Sequence, residues 1–582
     1  MRRALLHASP RAARRRDEWW RGAVIYQIYP RSFFDTDGDG VGDLPGITEK
    51  LDYVEQLGVD AVWISPFFKS PMKDFGYDVA DYRAVDPLFG TLEDFDALLE
   101  KAHRLGLKVL IDFVPSHTSN EHPWFQESRS SRDNEKADWY VWADPRPDGS
   151  PPNNWLSVFG GSAWEWEPRR GQYYLHNFLK EQPQLNLWNP AVVQALLDAA
   201  RFWLDRGVDG FRLDAIDHAV HDPQLRNNPP RSRRPSLQAA GSVPASPYKM
   251  QEPRWNRARP ELVELFLKPL HALTERYEGK VLLGEISTSD DALIRAAEYT
   301  NGGGLDMAYT FDLPRCEPSP RIIRRVVERF EGKKGEGWAC WSFGNHDVCR
   351  PVTRFGGDNA PEALRRLLPV LLGCLRGTPC LYQGEELGLE EAELGFEQLR
   401  DPYGLAFWPA YKGRDGCRTP IPWRHDAPHG GFTTGEPWLP VPAVHLARAV
   451  DVQAADPDST LNATRAFFAW RRRQPLLKTG TIRFLKSEGP LLVFARERDG
   501  QRMVCAFNLS GEPQRCRRPR RLAPEDGRIA PGSRVAGRTI ELGPWGYALV
   551  LERAASVLER SRSPVSWPAA EPAIQAAGQE AG

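Results

Sequence analysis

The stretch Gly210-Phe-Arg-Leu-Asp-Ala-Ile-Asp217 joins a short apolar run to two acids. Residues 210–213 are apolar enough to form a buried strand, and Asp214 and Asp217 follow where that strand should end. Arg212 and Asp214 are two residues apart, so on a strand their side chains point to the same side. A guanidinium beside a carboxylate is costly in a core but useful in a site where charge develops during a reaction. Taken alone, the stretch fits a buried ion pair that holds a turn as well as it fits a catalytic site.

Seven other apolar runs have the length of strands, and helical patterns separate most of them. These runs are residues 24–29, 61–64, 108–113, 281–284, 306–309, 339–343 and 380–382. Strands that alternate with helices predict a parallel sheet with helical crossovers, and eight such units predict a closed (β/α)8 TIM barrel of the α/β class. An open doubly wound sheet is the alternative. No G-x-G-x-x-G follows the first strand, which weakens that alternative.

The alternation of strands and helices breaks at two places, which predict the domain boundaries. Residues 116–189 are rich in Trp, Pro, Asn and Gly, and we interpret them as a small domain inserted after the third strand. Short strand patterns near the end of the chain predict a C-terminal antiparallel β domain over 477–553. The barrel then comprises residues 17–115 and 190–476. We expect the Arg-rich residues 1–16 to be a disordered leader and residues 554–582 to be a disordered tail.

The composition excludes several classes of partner. The chain has 76 Lys and Arg residues against 77 Asp and Glu residues, a net charge of −1 that argues against nucleic acid or an acidic membrane as the main partner. No apolar run is long enough to span a bilayer. The eight cysteines form no C-x-x-C pair, so we expect free thiols in a reducing compartment. The default expectation is a cytoplasmic monomer or homodimer.

Several charged residues fall at the ends of the predicted strands. In a barrel of this kind the carboxyl ends of the strands form the active face. A single acid there is ordinarily a helix cap, but a cluster of acids with two histidines and an arginine is hard to explain by capping. The residues are Asp112, Asp214, Glu285 and Asp347, with His117, His346 and Arg212.

Paired carboxylates on an apolar floor suit the cleavage of acetals. Breaking a glycosidic bond requires a proton donor for the leaving oxygen and a carboxylate that meets the oxocarbenium-like carbon. The apolar neighbours of Glu285 in Leu-Leu-Gly-Glu-Ile should raise its pKa towards that of a general acid. Asp214, beside Arg212, should stay ionised and able to attack.

These segments resemble those of the α-amylase superfamily, glycoside hydrolase family 13. The similarity is carried in the family's order by Asp112-Phe-Val-Pro-Ser-His117, Gln182-Pro-Gln-Leu-Asn186, Gly210-Phe-Arg-Leu-Asp214, Gly284-Glu285, Phe343-Gly-Asn-His-Asp347 and Gly377-Thr-Pro-Cys-Leu-Tyr-Gln-Gly-Glu-Glu386. The second of these is similar to a segment of the α-glucosidase and oligo-1,6-glucosidase subfamily. Together the motifs are far more specific than any one of them.

The resemblance implies a role for each residue of the site. Asp214 would be the nucleophile, Glu285 the acid/base and Asp347 the stabiliser that holds ring hydroxyls. Asp74 would pair with Arg414, and this pair would close the pocket beyond one glucose, so that the enzyme cuts from the chain end. The other substrate-binding residues would be Tyr77, His117, Phe159, Arg212 and His346. The alternative for Asp74 and Arg414 is a surface salt bridge.

Two residues depart from the family's patterns, and a third bears on the linkage that is cleaved. Ser116 stands where the superfamily usually has the Asn that helps to bind calcium in α-amylases, so we expect the calcium site of the inserted domain to be absent. Gln184 replaces the usual Asp of Q-P-D-L-N. Ala215 follows the predicted nucleophile, and small residues there accompany α-1,4 cleavage in relatives, whereas Val accompanies α-1,6 cleavage. The resemblance therefore favours α-1,4 substrates such as maltose.

An acidic loop precedes the first helix, Asp35-Thr-Asp-Gly-Asp-Gly-Val-Gly-Asp43. Oxygen ligands at alternate positions with glycines for the turn suit Ca²⁺ or Mg²⁺. The expected ligands are the carboxylates of Asp35, Asp37, Asp39 and Asp43 and the carbonyl of Val41. A plain acidic turn is the alternative, and four acids within nine residues repel one another unless a cation lies among them. The same loop resembles the structural metal loop of oligo-1,6-glucosidases; no organic cofactor is implied.

The function that the resemblance implies is a retaining, exo-acting α-glucosidase that acts on small oligosaccharides, with transglucosylation as a further activity. A glucosyltransferase or isomerase that acts on sucrose, maltose or trehalose would use the same site, because water or a sugar can resolve a glucosyl-enzyme. A non-catalytic barrel that serves as a binding partner is a third reading, as in the heavy chains of amino-acid transporters. Those relatives carry a membrane span and have lost catalytic acids, whereas this chain keeps all three.

Overall fold

Eight parallel strands surround the centre of the molecule in the computed structural model, which describes residues 18–231, 250–257, 259–287, 291–518, 520 and 522–552. The strands are β1 (Ile25–Ile28), β2 (Ala61–Ile64), β3 (Lys108–Phe113), β4 (Gly210–Leu213), β5 (Val281–Ile286), β6 (Met307–Thr310), β7 (Cys340–Trp341) and β8 (Thr378–Tyr382). Their order is β6-β5-β4-β3-β2-β1-β8-β7. A parallel bridge between Ala308 and Ala339 joins the two ends of this order. The prediction of a closed (β/α)8 barrel is confirmed, and the leader and tail predicted at 1–16 and 554–582 lie outside the described residues.

Helices surround this ring, and their first residues show why they begin where they do. The sequence Thr91-Leu-Glu-Asp94 has the pattern of a capping box, and in the structure Thr91 Oγ1 accepts from the Asp94 amide at 3.2 Å and Asp94 Oδ2 accepts from the Thr91 amide at 2.9 Å. The Asn189 side chain accepts from the Ala191 amide at 2.9 Å, and Gly207 ends that helix with a φ of 107°. Local sequence therefore fixes the ends of these two crossovers.

The helices outside the insertion and the C-terminal region have the following bounds: Leu44–Gln56, Leu92–Arg104, Pro190–Arg206, Lys268–Thr274, Ala292–Thr300, Pro320–Glu331, Pro351–Gly356, Glu362–Cys374, Pro402–Phe407, Asp415–Arg418, Ala443–Leu446, Val450–Ala455, Thr460–Arg471 and Pro475–Thr479. A π-helical turn at Val263–Leu267 precedes the helix Lys268–Thr274. The sequence pattern predicts one continuous helix over 261–277, whereas the regular α-helix in the structure is shorter at both ends.

The stretch after β3 folds into its own small antiparallel sheet. The strands Trp142–Ala143, Gln172–Leu175 and Trp164–Glu167 lie in that order, and the helix Pro123–Ser130 precedes them. A separate hairpin after β2 pairs Phe68–Lys69 with Asp81–Val85. These elements contact the segments that follow the barrel strands: Tyr82 Oη of the hairpin donates to the Val114 carbonyl after β3 at 2.7 Å, and Gln184 Nε2 of the insertion donates to the His218 carbonyl after β4 at 3.0 Å.

The C-terminal region is richer in strands than the sequence indicated. The sequence pattern predicts four strands, over 481–485, 491–497, 503–508 and 546–551. The structure has a five-stranded and a three-stranded antiparallel sheet, formed by Thr481–Phe484, Leu491–Arg498, Gln501–Asn508, Gln514–Arg517, Leu522–Ile529, Arg534–Ala536, Thr539–Leu542 and Tyr547–Glu552. The prediction missed Gln514–Arg517, for example, because its sequence QRCR shows no apolar alternation. The expectation of an antiparallel β domain is confirmed, but its strand count was wrong.

Two buried arginines lie where this β domain meets the barrel, Arg496 in the β domain and Arg471 in the last long helix of the barrel, and neither has a carboxylate within ion-pair distance among the described residues. Arg496 donates to the Cys374 and Gly480 carbonyls at 2.8 Å each, and Arg471 donates to the Gly373 carbonyl at 2.7 Å. These carbonyls end helices, where the backbone carries partial negative charge. Burial lowers the pKa of both arginines to about 10, so they stay charged at neutral pH.

The structure bears on two further predictions, that the cysteines are free thiols and that no segment spans a membrane. The eight cysteines are all free and lie in buried or half-buried positions. Among the described residues, no helix combines the length and apolar character needed to cross a membrane.

The first residue of β4 tests how closely the barrel strands pack. A Cβ added to Gly210 would lie 2.1 Å from the carbonyl oxygen of Val281 on β5, its partner in the ladder. We expect Gly210→Ala to lower the free energy of unfolding by about 2 kcal/mol or more, because the two strands must separate. Chemical denaturation measures this. Gly395→Ala is the control, since an added Cβ there meets only the Gln398 side chain at 3.8 Å; equal stability of both variants would contradict the prediction.

Candidate active site

The register of three neighbouring strands brings the predicted residues to one end of the barrel. Arg212 on β4 lies opposite Asp112 on β3, and Leu213 lies opposite Gly284 on β5. Asp214 comes directly after β4, where its amide donates to the Phe113 carbonyl at 2.9 Å. Because all three strands run in parallel, their carboxyl ends deliver these side chains to the same face.

Arg212 is the centre of the site. Its side chain is wholly buried, and Nη1 contacts Asp112 Oδ1 at 2.5 Å and Asp214 Oδ1 at 2.7 Å. Nη2 contacts the Glu285 carboxylate and donates to Tyr309 Oη at 2.8 Å. The two acids predicted to attack and to protonate the substrate therefore bind the two ends of one guanidinium group.

The environment of Glu285 suits a proton donor. Burial raises the pKa of Glu285 to about 7, Arg212 acts to lower it, and the Asp347 carboxylate acts to raise it. Tyr309 Oη donates to Glu285 Oε2 at 3.0 Å and fixes the orientation of the carboxyl group. The direction expected from the apolar sequence around Glu285 is the direction found.

Asp214 differs from the expectation that its pKa stays low. Burial raises the pKa of Asp214 well above its ordinary value, Arg212 opposes that rise, and the carboxyls of Glu285 and Asp112 add to it. Burial also raises the pKa of Asp112. Three acids thus compete for one guanidinium, and burial with a single neighbouring cation favours the protonated form of these carboxyls relative to acids in water.

Asp347 has the opposite electrostatic environment. Burial by itself would raise its pKa, but His346 in its protonated form and the permanently charged Arg414 and Arg418 hold the pKa well below its ordinary range. Its Oδ1 atom contacts Arg414 Nη1 at 3.1 Å and Arg418 Nη2 at 2.9 Å. Asp347 is therefore a fixed negative charge beside two acids whose pKa values are raised.

The two histidines are buried next to Tyr77 as neutral groups. His346 stacks on Tyr77 with ring centroids 5.5 Å apart, its Nε2 lies 2.7 Å from Tyr77 Oη, and its Nδ1 lies 2.7 Å from Gln27 Nε2. His117 Nε2 lies 3.1 Å from the Tyr77 carbonyl and 3.2 Å from Gln182 Nε2. Burial lowers the pKa of each histidine to about 3, so both remain uncharged at neutral pH.

The predicted pair at the far side of the pocket also forms. Arg414 Nη2 contacts Asp74 Oδ1 at 3.0 Å, with the two side chains only 11% and 7% exposed. This excludes the alternative of a surface salt bridge. The ring of Phe159 lies 5.6 Å from the Arg414 guanidinium carbon and 5.0 Å from the ring of Tyr403. The structure therefore places every predicted catalytic and substrate-binding residue around one cluster.

Four residues of this cluster were not predicted. They are Trp63, whose Nε1 donates to Asp112 at 3.0 Å, and Tyr309, Asp401 and Arg418. Tyr309 ends the sixth predicted strand, so the rule that strand ends form the active face would have found it. Asp401 lies in a long loop after β8, where no strand or helix pattern marks it.

The acidic loop brings together only part of the predicted metal site. One carboxylate oxygen each of Asp35, Asp37 and Asp39 lie within 4.8 Å of one another. Asp43 lies outside this group and caps the helix Leu44–Gln56, since its Oδ1 accepts from the Gly46 amide at 2.6 Å. The Val41 amide donates to Asp39 Oδ1 at 2.7 Å. The three grouped carboxylates fit a hard divalent cation, which prefers oxygen ligands.

Comparison with known proteins agrees with this geometry. The model of the family "Alpha amylase, catalytic domain" matches residues 27–480. A probable alpha-glucosidase of Rhizobium meliloti is 54% identical over 534 residues, which cover 91% of this chain and 96% of that protein. An oligo-1,6-glucosidase of Heyndrickxia coagulans is 37% identical, covering 85% of this chain and 92% of that protein.

Solved structures show the same architecture. The alpha-glucosyl transfer enzyme XgtA is 56% identical with a TM-score of 0.88, covering 92% of this chain and 99% of that one. The trehalulose synthase MutB of Pseudomonas mesoacidophila MX-45 is 34% identical with a TM-score of 0.81, covering 92% and 99%. The barrel, its cluster of acids around Arg212 and these matches together show that the chain belongs to the alpha-amylase family, glycoside hydrolase family 13, and is a glycoside hydrolase.

Proposed function

We propose that the protein is a retaining, exo-acting α-glucosidase that releases glucose from the non-reducing end of short α-glucosides, with α-1,4-linked maltose as the preferred type of substrate. The observation that carries the proposal is the contact of Asp214 and Glu285 with one guanidinium group. This compact placement suits direct attack by one carboxylate, whereas an inverting enzyme needs room for a water molecule between its two carboxyls.

The proposed reaction has two displacements. Glu285 gives its proton to the glycosidic oxygen as Asp214 attacks the anomeric carbon, so the acetal bond breaks and a glucosyl ester forms on Asp214. Glu285 then takes a proton from water, the oxygen of that water attacks the same carbon, and the ester bond breaks. Arg212 stabilises the Asp214 carboxylate before the first step and after the second. Asp347 stays negative throughout and stabilises the positive charge that develops on the sugar ring.

The exo mode follows from the closed end of the pocket. The Asp74–Arg414 pair, with Gln182 donating to Asp74 Oδ2 at 3.1 Å, leaves polar atoms that face the non-reducing glucose and bind its 4-hydroxyl. A longer chain would have to break this buried pair to pass beyond one sugar, and leaving a buried charge without its partner is costly. Tyr77 and His346 provide the stacked wall on which the glucose ring packs.

A glucosyl transferase or isomerase is the second candidate, and the similarity to XgtA favours it, because that relative is described as an alpha-glucosyl transfer enzyme. The glucosyl ester on Asp214 is common to both candidate functions, and only the acceptor differs.

Ala215, which follows the nucleophile with a φ of 36°, is small and supports the proposed α-1,4 preference.

Product analysis tests the proposed function. We expect maltose to be converted mainly to free glucose, faster than isomaltose, sucrose or trehalose, and the first product seen by NMR to be the α-anomer. Asp214→Asn should abolish the reaction, because an amide cannot form the ester, while the fold stays intact by circular dichroism. Isomers or longer glucosides as main products would favour the second candidate, and unchanged turnover of Asp214→Asn would reject the proposed nucleophile.

The pKa of Glu285 sets the pH dependence. Because that pKa is raised to about 7, the protonated acid is present below this pH and is lost above it. We therefore expect kcat/KM for maltose to fall as pH rises through about 7. Glu285→Ala should slow maltose hydrolysis by about 10²- to 10⁴-fold.

α-Glucosyl fluoride provides the control for that prediction, because fluoride leaves without a proton. Its first displacement by Glu285→Ala should be nearly as fast as in the wild type, and the alkaline fall in rate should disappear from that step. An equal loss of rate on both substrates would show that Glu285 is not the proton donor.

We further propose that Asp35, Asp37 and Asp39 bind a structural Ca²⁺ or Mg²⁺. Burial raises the pKa of Asp39, and the neighbouring Asp37, Asp35 and Asp43 carboxylates raise it further. A bound cation would neutralise this repulsion and fix the loop against Thr433, which contacts Asp35 Oδ2. No catalytic step involves the cation.

Metal removal tests this site through stability. We expect EDTA to lower the midpoint of thermal unfolding and added Ca²⁺ or Mg²⁺ to restore it, since a ligand that binds only the folded state stabilises it. Asp37→Asn should reduce this shift, whereas Asp458→Asn, an exposed acid outside the loop, should leave it unchanged. An unfolding midpoint that is the same with and without EDTA would contradict the proposal.

A further inference from the structure

We propose that Asp401 is a positioning residue that sets the orientation of Arg414 and thereby the recognition of the non-reducing end of the substrate. The inference rests on the proposed function and adds to it a residue that lies behind the sugar-binding pair. Asp401 is wholly buried, so it acts through Arg414 and not by contact with the sugar.

The guanidinium of Arg414 contacts Asp401 along one edge and the substrate-binding carboxylates of Asp74 and Asp347 along the other. Its Nε lies 3.0 Å from Asp401 Oδ2, and its Nη2 lies 2.7 Å from Asp401 Oδ1. The same guanidinium contacts Asp74 through Nη2 and Asp347 through Nη1, at 3.0 and 3.1 Å. A two-point contact between a guanidinium and a carboxylate fixes the plane as well as the position of the group. The contact with Asp401 thus leaves the other edge of the guanidinium group to contact Asp74 and Asp347, whose carboxylates face the glucose.

The segments that carry the two residues hold each other reciprocally. Asp401 Oδ2 accepts from the Arg414 amide at 2.7 Å, and Asp415 Oδ2 accepts from the Asp401 amide at 2.7 Å. Gly404 and Gly413 allow this close crossing, because a Cβ on either would lie within 3 Å of the other's Cα. The backbone positions of residues 401 and 414 are therefore set together.

Asp401 also connects Arg414 with the rim of the pocket. It caps the helix Pro402–Phe407 by accepting from the Tyr403 amide at 3.1 Å. Tyr403 packs on Phe159, whose ring lies beneath the Arg414 guanidinium. The Asp401 carboxylate therefore orients the Arg414 guanidinium, which binds the sugar. It also caps the helix that carries Tyr403, a residue of the pocket wall.

The negative charge of Asp401 explains why its contact with Arg414 should affect the binding of the substrate. Burial would raise the pKa of Asp401, but Arg414 outweighs that effect and the pKa lies below its ordinary value, so Asp401 is ionised. Without this charge, the freed Nε edge of Arg414 would turn towards Asp74 or Asp347 and form a two-point contact there. That contact would occupy carboxylate oxygens that the sugar hydroxyls need, so binding of the non-reducing glucose would weaken.

The test compares α-D-glucosyl fluoride with its 4-deoxy analogue in Asp401→Ser, Asp401→Asn, Arg414→Ala and the double variant Asp401→Ser with Arg414→Ala. Serine keeps a hydroxyl that can cap the Tyr403 amide but removes the charge. The readout is the preference, which is the ratio of kcat/KM for the 4-hydroxyl substrate to kcat/KM for the 4-deoxy substrate. Asp451→Asn is the control, because Asp451 pairs with the exposed His425.

If Asp401 acts through Arg414, each Asp401 variant lowers the preference about 10- to 100-fold, the range for hydrogen bonds to charged groups. The loss should appear mainly in KM, and the pH profile should not change. The double variant should lose no more than Arg414→Ala alone, because the two residues act as one unit. Asp451→Asn should keep the wild-type preference.

An unchanged preference in folded Asp401 variants, or losses that multiply in the double variant, would overturn the proposal. If neither Asp401 variant folds, Arg414→Lys tests the same contact from the other side. Lysine keeps the charge but cannot form the two-point contact, so a preserved preference would overturn the proposal and a lowered one would support it. A wild-type enzyme that releases no fluoride from either substrate would instead overturn the proposed function.

Discussion

The contact of one buried arginine with three acids is the constraint on which the rest of the structure depends. Arg212 is fully enclosed, and so are Asp112 and nearly all of Asp214 and Glu285. Removing Arg212 would leave these buried carboxylates without their cation, and breaking a buried ion pair in this way typically costs about 3–5 kcal/mol. The strands β3, β4 and β5 must therefore meet in one register, because only this register brings the four groups together. Chemistry and fold specificity thus depend on the same contacts.

The barrel and the catalytic acids could be predicted because both follow from simple geometry. Parallel strands end on the same face, so acids that follow apolar runs, such as Asp214 and Glu285, converge even though they are distant in the chain. Asp401 and Arg418 could not be found in this way. They lie in the long connection after β8, where backbone contacts between distant segments fix the chain, and such contacts leave no periodic pattern in the sequence.

The C-terminal domain shows a second limit of sequence patterns. Strands such as Gln514–Arg517 lie at the surface and gain little from burial, so pairing with Thr539–Leu542 decides their conformation. The sequence could not predict how this domain attaches to the barrel, for a different reason. A buried Arg496 would suggest a carboxylate partner, but it binds backbone carbonyls at the ends of two helices. Charge counting along a sequence cannot detect a partner that is the backbone itself.

The electrostatics divides the pocket into two layers with different tasks. In the inner layer burial raises the pKa of Glu285 and Asp214, so a proton is available where bonds break. In the outer layer the arginines hold the pKa of Asp347 and Asp401 low, so these two charges stay fixed, although burial raises the pKa of Asp74 beside them. A group that must exchange a proton cannot also hold a hydroxyl in constant geometry, because its hydrogen bonds change with its protonation state. Arg212 serves the inner layer and Arg414 the outer layer. Because the two arginines are separate, protons can be transferred in the inner layer while the hydrogen bonds that hold the glucose in the outer layer stay the same.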